Sequence, residues 1–280
     1  MSAQKKVLIV NDDGIAAPGL IALVERLLHD GGFDIRVVAP ENEQSGVSHC
    51  LTLFTPLLSE TTILPGELAR VPAARVAGTP VDCVKLALDQ LFPDFRPDWV
   101  LSGINRGPNH GRLAFYSGTF AGALEAALQG IPAIALSLSS LHSVAWDFPV
   151  AARVAVKLIR EITAQTLPRG HFLAVEIPNL SEDEIRGIRL TRQGTGTIID
   201  HYREEEELGP RRRFRVEGKF DFPEDEVTDA DTLAVRDGWV AVTPYALDLT
   251  AHAYREEMRR WALFRNTDGS LPIEKGFFDQ

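Results

Sequence analysis

The chain has 280 residues, 45% of them hydrophobic, enough for one large core or two small ones. Its formal charge of −10 argues against a nucleic-acid polymer as the main partner, because a phosphate backbone needs a basic field. Cys50 and Cys83 make no disulfide framework and read as small buried hydrophobes. Residues 1–6 are polar and the apolar run after them is too short for a secretion signal or a membrane span, so a cytoplasmic protein off the membrane is expected.

In chain order, the β-branched run Val7–Val10 predicts a strand buried on both faces. Leu20–Leu28 carries apolar residues at helical spacing and stops at Gly31-Gly32. Asp34–Ala39 predicts a second strand, closed by Pro40. Gly78-Thr79-Pro80-Val81-Asp82-Cys83 reads as a helix entry, with Thr79 as N-cap and Pro80 at the first helical position, and the helix runs over Val81–Leu91. A strand at Trp99–Ser102, a helix at Gly118–Gln129, a strand at Ile134–Leu138 and a helix at Phe148–Ile162 follow. This alternation predicts an α/β fold with a mostly parallel, doubly wound sheet.

His171–Ile177 and Ile188–Thr191 read as further strands. Gly194–Asp229 is polar and charged, with Glu204–Glu207 before Arg211-Arg212-Arg213. A structureless insertion this long is uncommon in a compact domain, so an extended hairpin arm packing on another subunit is expected. Thr232–Pro244 returns to strand character, and Thr250–Trp261 reads as a terminal helix.

The chemistry gathers where the strands end. The first strand turns into Asn11-Asp12-Asp13-Gly14, two adjacent carboxylates at the sheet edge where ligands bind in open α/β folds. Two readings stand at this point: an N-cap for the next helix, or a site for a hard cation that relieves the repulsion between the carboxylates. Three other clusters should share that edge: Pro40–Gly46, Gly103–Gly111 and Tyr116–Thr119. Ser45 and Asn105 offer neutral oxygens that would complete an all-oxygen shell for Mg²⁺ or Mn²⁺. Ser117, Gly118 and Thr119 open a helix whose free N–H groups suit a phosphate, or they only cap it. A metal that polarises a phosphoryl oxygen and activates a water would meet the demand of phosphate-ester hydrolysis.

Other signals are weaker. The seven histidines lack metal-ligand spacing, which argues against zinc, and His110 reads as a solvated loop residue. Dinucleotide, phosphate-loop and nucleophile-elbow motifs are missing from the sequence.

The same residues resemble the SurE family, the stationary-phase survival proteins. The likeness lies in Asn11–Ile15 with Pro18-Gly19-Leu20, Ala39-Pro40 with Gln44-Ser45-Gly46, Gly78-Thr79-Pro80 with Asp82-Cys83-Val84, and Ser102–Asn109. Tyr116–Thr119, Gly130–Ala135 and the late segment Thr228–Pro244 extend it. The resemblance implies a single SurE-like domain over residues 1–280. Residues 1–168 would form a Rossmann-like core with the active site, and 169–280 would carry C-terminal strands, an oligomerisation arm and a tail helix.

It also implies metal-dependent hydrolysis of nucleoside 5′-monophosphates, and of 3′-monophosphates, to nucleoside and phosphate. One divalent cation per subunit, Mg²⁺ or Mn²⁺, would sit on Asp12, Asp13, Ser45 and Asn105. Asn109, Ser117, Gly118 and Thr119 match the phosphate-side positions. A homodimer or homotetramer is implied. The sequence departs from the family at Arg112–Phe115, at Phe120, at Glu176 where Asn is more usual, and over Gly194–Phe222. An activated water as attacking group, with Asp12 or Asp13 as proton acceptor, stands beside Asp12 as covalent nucleophile. The functional alternatives are a broad acid phosphatase or short-polyphosphate hydrolase, and a non-catalytic nucleotide-binding regulator.

Overall fold

The first strand, β1 (Lys5–Val10), ends in four fully buried residues, as its unbroken apolar run demands. It lies near the middle of a nine-stranded sheet in the computed structural model, which describes residues 4–140 and 145–261. Helix α1 (Pro18–Asp30) returns the chain to β2 (Phe33–Pro40). Two short strands that the sequence did not announce, β3 (Ser59–Thr62) and β4 (Ala73–Val76), extend that side. Their four-residue length and mixed composition carry too little periodicity to be read.

Helix α2 (Pro80–Leu86) begins in a capping box between Thr79 and Asp82, as expected, and widens into a π turn over Ala87–Leu91. The chain then crosses to the other side of β1 as β5 (Trp99–Arg106), α3 (Gly118–Leu128), β6 (Ala133–Ser139), α4 (Phe148–Ile162) and β7 (His171–Pro178). The sheet order is β3-β4-β2-β1-β5-β6-β7-β11-β8, where β8 spans Ile188–Leu190 and β11 Val240–Ala246. β1 pairs in parallel with both β2 and β5, and β4, β6 and β7 continue the parallel run. β3 is antiparallel to β4.

Strand order therefore reverses at β1 and β5, which opens a crevice at their carboxyl ends. Gly19 lets α1 lie against β5 there: a Cβ on it would stand 2.0 Å from the Ile104 carbonyl oxygen.

The charged segment forms a two-stranded antiparallel hairpin, β9 (Thr197–Leu208) with β10 (Arg211–Asp221), as expected. Cross-strand ion pairs such as Arg213–Glu206 at 2.9 Å and Arg203–Glu217 at 2.7 Å line it. Three expectations need correction. Asp231–Arg236 is a helix, α5, so strand character resumes only at Val240. The helix wins over the alternating pattern because Ala234 and Val235 bury against Ala241. Cys50 is exposed, and only Cys83 is a buried hydrophobe. The strand read as Trp99–Ser102 continues through Gly103 to Arg106, because a register shift after Ser102 lets a Gly-bearing segment pair with β6.

The chain divides into two compact units, one ending at Tyr245 and one starting at Ala246. In the second, the terminal helix α6 covers His252–Met258, and the expected domain limit at residue 280 lies outside the described residues. Among the described residues no helix is long and apolar enough to cross a membrane.

Candidate active site

The turn after β1 is built by Asn11. Its buried amide donates to the Gly14 carbonyl at 2.8 Å and accepts from the Gly14 N–H at 3.2 Å. Gly14 takes φ +102°, which a side chain would resist. This closed turn carries Asp12 and Asp13. The cap reading of the pair fails, because α1 starts from Ala17 with Pro18 at its first position and no side-chain cap.

Asp12 is 3% exposed and lies against the start of α3. The Thr119 hydroxyl donates to Asp12 Oδ1. A Cβ on Gly118 would stand 2.7 Å from Asp12 Cβ and 2.9 Å from Oδ2, so glycine is what lets the helix end approach the carboxylate. Burial pushes the Asp12 carboxyl up to about 6; the Thr119 hydrogen bond opposes that, and the charge of Asp13 adds to it. Asp13 accepts the Arg106 N–H at 3.0 Å on Oδ2. Burial also raises its carboxyl, against that N–H and the Arg106 charge.

The Pro40–Gly46 loop is tied to the pair by the Gln44 N–H, which donates to the Asp12 carbonyl at 2.7 Å. Ser45 in this loop is exposed, and its hydroxyl donates to Glu43 at 2.7 Å. Asn105 stands at the end of β5, with its amide nitrogen donating to the Gly107 carbonyl at 2.9 Å. That commits the nitrogen and leaves the amide oxygen as the atom for a ligand.

Ser117 caps α3 by accepting the Phe120 N–H at 3.0 Å. The N–H groups of Gly118 and Thr119 stay outside the helix's own bonding, and that of Thr119 faces Asp12. Asn109 is held at both ends: its N–H meets Glu176 at 3.2 Å and its amide donates to Ser137 at 3.0 Å.

The donor set fits a hard divalent cation. The buried Asp12 and the half-buried Asp13 both have raised affinity for protons, so a positive charge between them is favoured. Among the described residues no group of three or more His, Cys, Asp or Glu gathers to hold a metal. A cation here must therefore take neutral oxygens or waters beside Asp12 and Asp13, as Mg²⁺ tolerates well.

Gly118→Ala is expected to cut turnover on the order of 10²-fold by displacing Asp12, since sub-ångström placement errors at a reacting centre carry such costs. Steady-state kinetics check it, with circular dichroism to confirm folding.

His110 corrects an expectation. It is 1% exposed, packs edge-on against Phe220 at 5.1 Å and, among the described residues, has no hydrogen-bond partner on either ring nitrogen. Burial lowers its pKa to about 4. The hairpin base covers it, which a loop sequence alone does not reveal. Phe120 is explained by packing: it meets Phe172 and Tyr245 edge-on, both at 4.8 Å.

Three acidic residues around the site were not singled out by the sequence as site residues. Glu43 accepts from Ser45 and lies 3.8 Å from the Arg106 guanidinium. Glu176 and Asp231 grip the Asn109–Gly111 backbone from behind. The only prior signal was Glu176's unusual type within an otherwise apolar strand.

The family "Survival protein SurE" matches residues 7–200. The chain belongs to the SurE family. The 5′-nucleotidase SurE of Symbiobacterium thermophilum is 38% identical over 92% of this chain and 98% of its own length. That of Synechococcus sp. is 40% identical over 92% and 97%. The crystal structure of the SurE protein from Aquifex aeolicus superposes with a TM-score of 0.74 at 35% identity, covering 91% of this chain and 98% of that one. The parallel core and C-terminal hairpin described above are thus a SurE fold, as the resemblance implied.

Proposed function

We propose that this SurE chain hydrolyses nucleoside 5′-monophosphates, and 3′-monophosphates, to nucleoside and phosphate in the crevice around Asp12 and Asp13. The observation that carries this is the adjacent carboxylate pair at the switch point of the sheet, with Asp12 buried against the N-terminal end of α3 and Asp13 half-buried beside it. Its relatives named 5′-nucleotidase SurE support the substrate class, and the chain is a 5′-nucleotidase.

Asp12, Asp13, Ser45 and Asn105 would hold one Mg²⁺ or Mn²⁺ per subunit. Such an ion withdraws charge from the phosphoryl oxygens and eases deprotonation of an attacking water. The protein's own groups do the rest. The Gly118 N–H, the Ser117 hydroxyl and Asn109 would orient the phosphate, with Thr119 holding Asp12 beside it. Asp12 Oδ1 is engaged by Thr119, which leaves Oδ2 for the cation, and Asp12 or Asp13 would accept the proton of the attacking water.

Phosphate release from a panel of nucleoside monophosphates, with EDTA and then with added Mg²⁺ or Mn²⁺, tests this. Release that needs the metal and prefers nucleotides is expected. Release unaffected by EDTA would remove the metal from the reading. Equal rates on an aryl phosphate or polyphosphate would make the protein a broad phosphatase, and saturable binding without turnover would make it a regulator.

The hairpin supports a homodimer or homotetramer. A lone two-stranded ribbon is marginal in water, yet this one exposes Ile199, Tyr202, Phe214 and Val216. Light scattering is expected to give at least twice the monomer mass of 30.8 kDa, and a monomer would refute the assignment. Free Cys50 and Cys83 suit the reducing cytoplasm.

A further inference from the structure

Behind the Gly107–Gly111 turn lies a buried carboxyl group that the reaction as described does not use. Glu176 sits on β7, opposite Ser137 of β6 in register, and is 2% exposed. Both of its oxygens lie 3.2 Å from the Asn109 N–H, and the Ser139 hydroxyl donates to Oε2. Ser137, next to it, receives the Asn109 side-chain amide at 3.0 Å. The backbone and the side chain of Asn109 are therefore both fixed from the β6–β7 face.

Two residues on, Asp231 of α5 accepts the Gly111 N–H at 3.1 Å and also binds the N–H groups of Gly194 and Thr232. The turn is thus clamped between two buried carboxyls far apart in sequence.

We infer that Glu176 is a positioning residue for hydrolysis: it places Asn109, and through Asn109 the phosphate of the bound nucleotide. The inference rests on the reading of Asn109 as a phosphate-side residue.

The groups facing Glu176 are Ser137 and Ser139 on β6, Asn109 on the turn, Asp231 on α5 and Tyr245 on β11. Neither Lys nor Arg is among them, and the neighbouring His110 is held neutral by burial. Burial therefore raises the Glu176 carboxyl to about 8, against the hydrogen bonds from Ser139, Asn109 and Ser137, with the charge of Asp231 adding to the rise. As a neutral acid it has one O–H to give a serine oxygen and one carbonyl oxygen to receive the Asn109 N–H. Ionised, it would be an uncompensated buried anion beside Asp231, and the turn would have to shift to let water in.

Glutamine keeps the neutral pattern at every pH, with its oxygen for Asn109 and its amide for a serine. Leucine keeps the volume and removes both. Glu176→Leu is expected to raise KM for a nucleoside monophosphate and the inhibition constant of inorganic phosphate about ten-fold, the scale of one lost charged-group hydrogen bond. The metal concentration for half-maximal activity should stay as in the wild type. Glu176→Gln should restore both constants at pH 7 and abolish the wild-type rise of KM between pH 7.5 and 9.

Wild-type constants in Glu176→Leu would overturn the inference, as would a Glu176→Gln protein equally impaired at pH 7. If Glu176→Leu does not fold, the KM profile of Glu176→Gln decides: a flat alkaline limb supports the role and an unchanged rise refutes it. Asn109→Ala separates the underlying reading. If it leaves KM and phosphate inhibition unchanged, Asn109 does not meet phosphate and both fall. If it raises them while both Glu176 variants behave as wild type, the positioning role alone falls.

Discussion

Asp13→Asn is expected to lower metal-stimulated phosphate release on the order of 10²–10³-fold, while the protein stays folded. The size follows from what the carboxylate supplies: one of two negative charges in a partly water-excluded crevice, where removal of a single preorganised electrostatic partner typically costs 10²–10³. The fold should survive, because the turn is closed by Asn11 and Gly14 and not by Asp13. The new amide can still accept the Arg106 N–H through its oxygen.

Stability supplies a second readout with a definite sign. Burial raises the proton affinity of both carboxyls, so a neutral amide at either position relieves a cost in the metal-free protein. After EDTA treatment the melting temperature of Asp13→Asn should equal or exceed that of the wild type. Added Mn²⁺ should raise the wild type's melting temperature and leave the variant's nearly unchanged. Normal turnover in Asp13→Asn would end the assignment of the pair.

The alternating core was legible because each element carries its own period. Val7–Val10 is too short and too apolar to be anything but an interior strand, and Gly31-Gly32 and Pro40 mark where its neighbours stop. The aspartate pair was legible for the same reason, since a strand end fixes where its next residues stand. What the sequence hid depends on contacts across long separations. β4 forms on the edge that β2 offers, and β3 on the edge of β4. Asp231–Arg236 is apolar enough for a strand, yet tertiary packing makes it a turn of helix.

His110 shows the same effect in the site: Phe220, 110 residues later, turns a loop histidine into a buried one. The aspartates' local chemistry could be read directly, but Ser45's partner Glu43 could not, because three consecutive polar residues give no orientation. Glu176 was visible as an odd residue. Its meaning depended on knowing that the Asn109 backbone lies across it, which requires the β6–β7 register and the turn after β5 together.

That buried acid should govern how stability depends on pH. A carboxyl whose folded pKa is raised contributes stability that is complete below its ordinary value and is lost as pH rises through the folded value. For Glu176 the loss runs from its ordinary value of 4.5 to about 8. His110 acts in the opposite direction, since its pKa is lowered: its contribution is present above 6.5 and is lost as pH falls to about 4. The two slopes oppose each other below pH 6.5. Asp12, raised to about 6, has finished titrating by then, and the window for the buried Cys83 thiol begins only above 9.

Between pH 6.5 and 8 the loss at Glu176 should outweigh that at the raised carboxyls of Asp13 and Asp231, and about 2 kcal/mol of wild-type stability should disappear over that interval. Urea unfolding at half-unit pH steps reads it directly. Glu176→Gln, which cannot ionise and keeps its hydrogen bonds, should be flat across the same window and more stable than the wild type at pH 8. A wild-type curve already flat from 6.5 to 8 would mean that Glu176 ionises at its ordinary pH despite burial. The Asn109 turn would then be held by an anion, and the alkaline rise in KM would have no source in this residue.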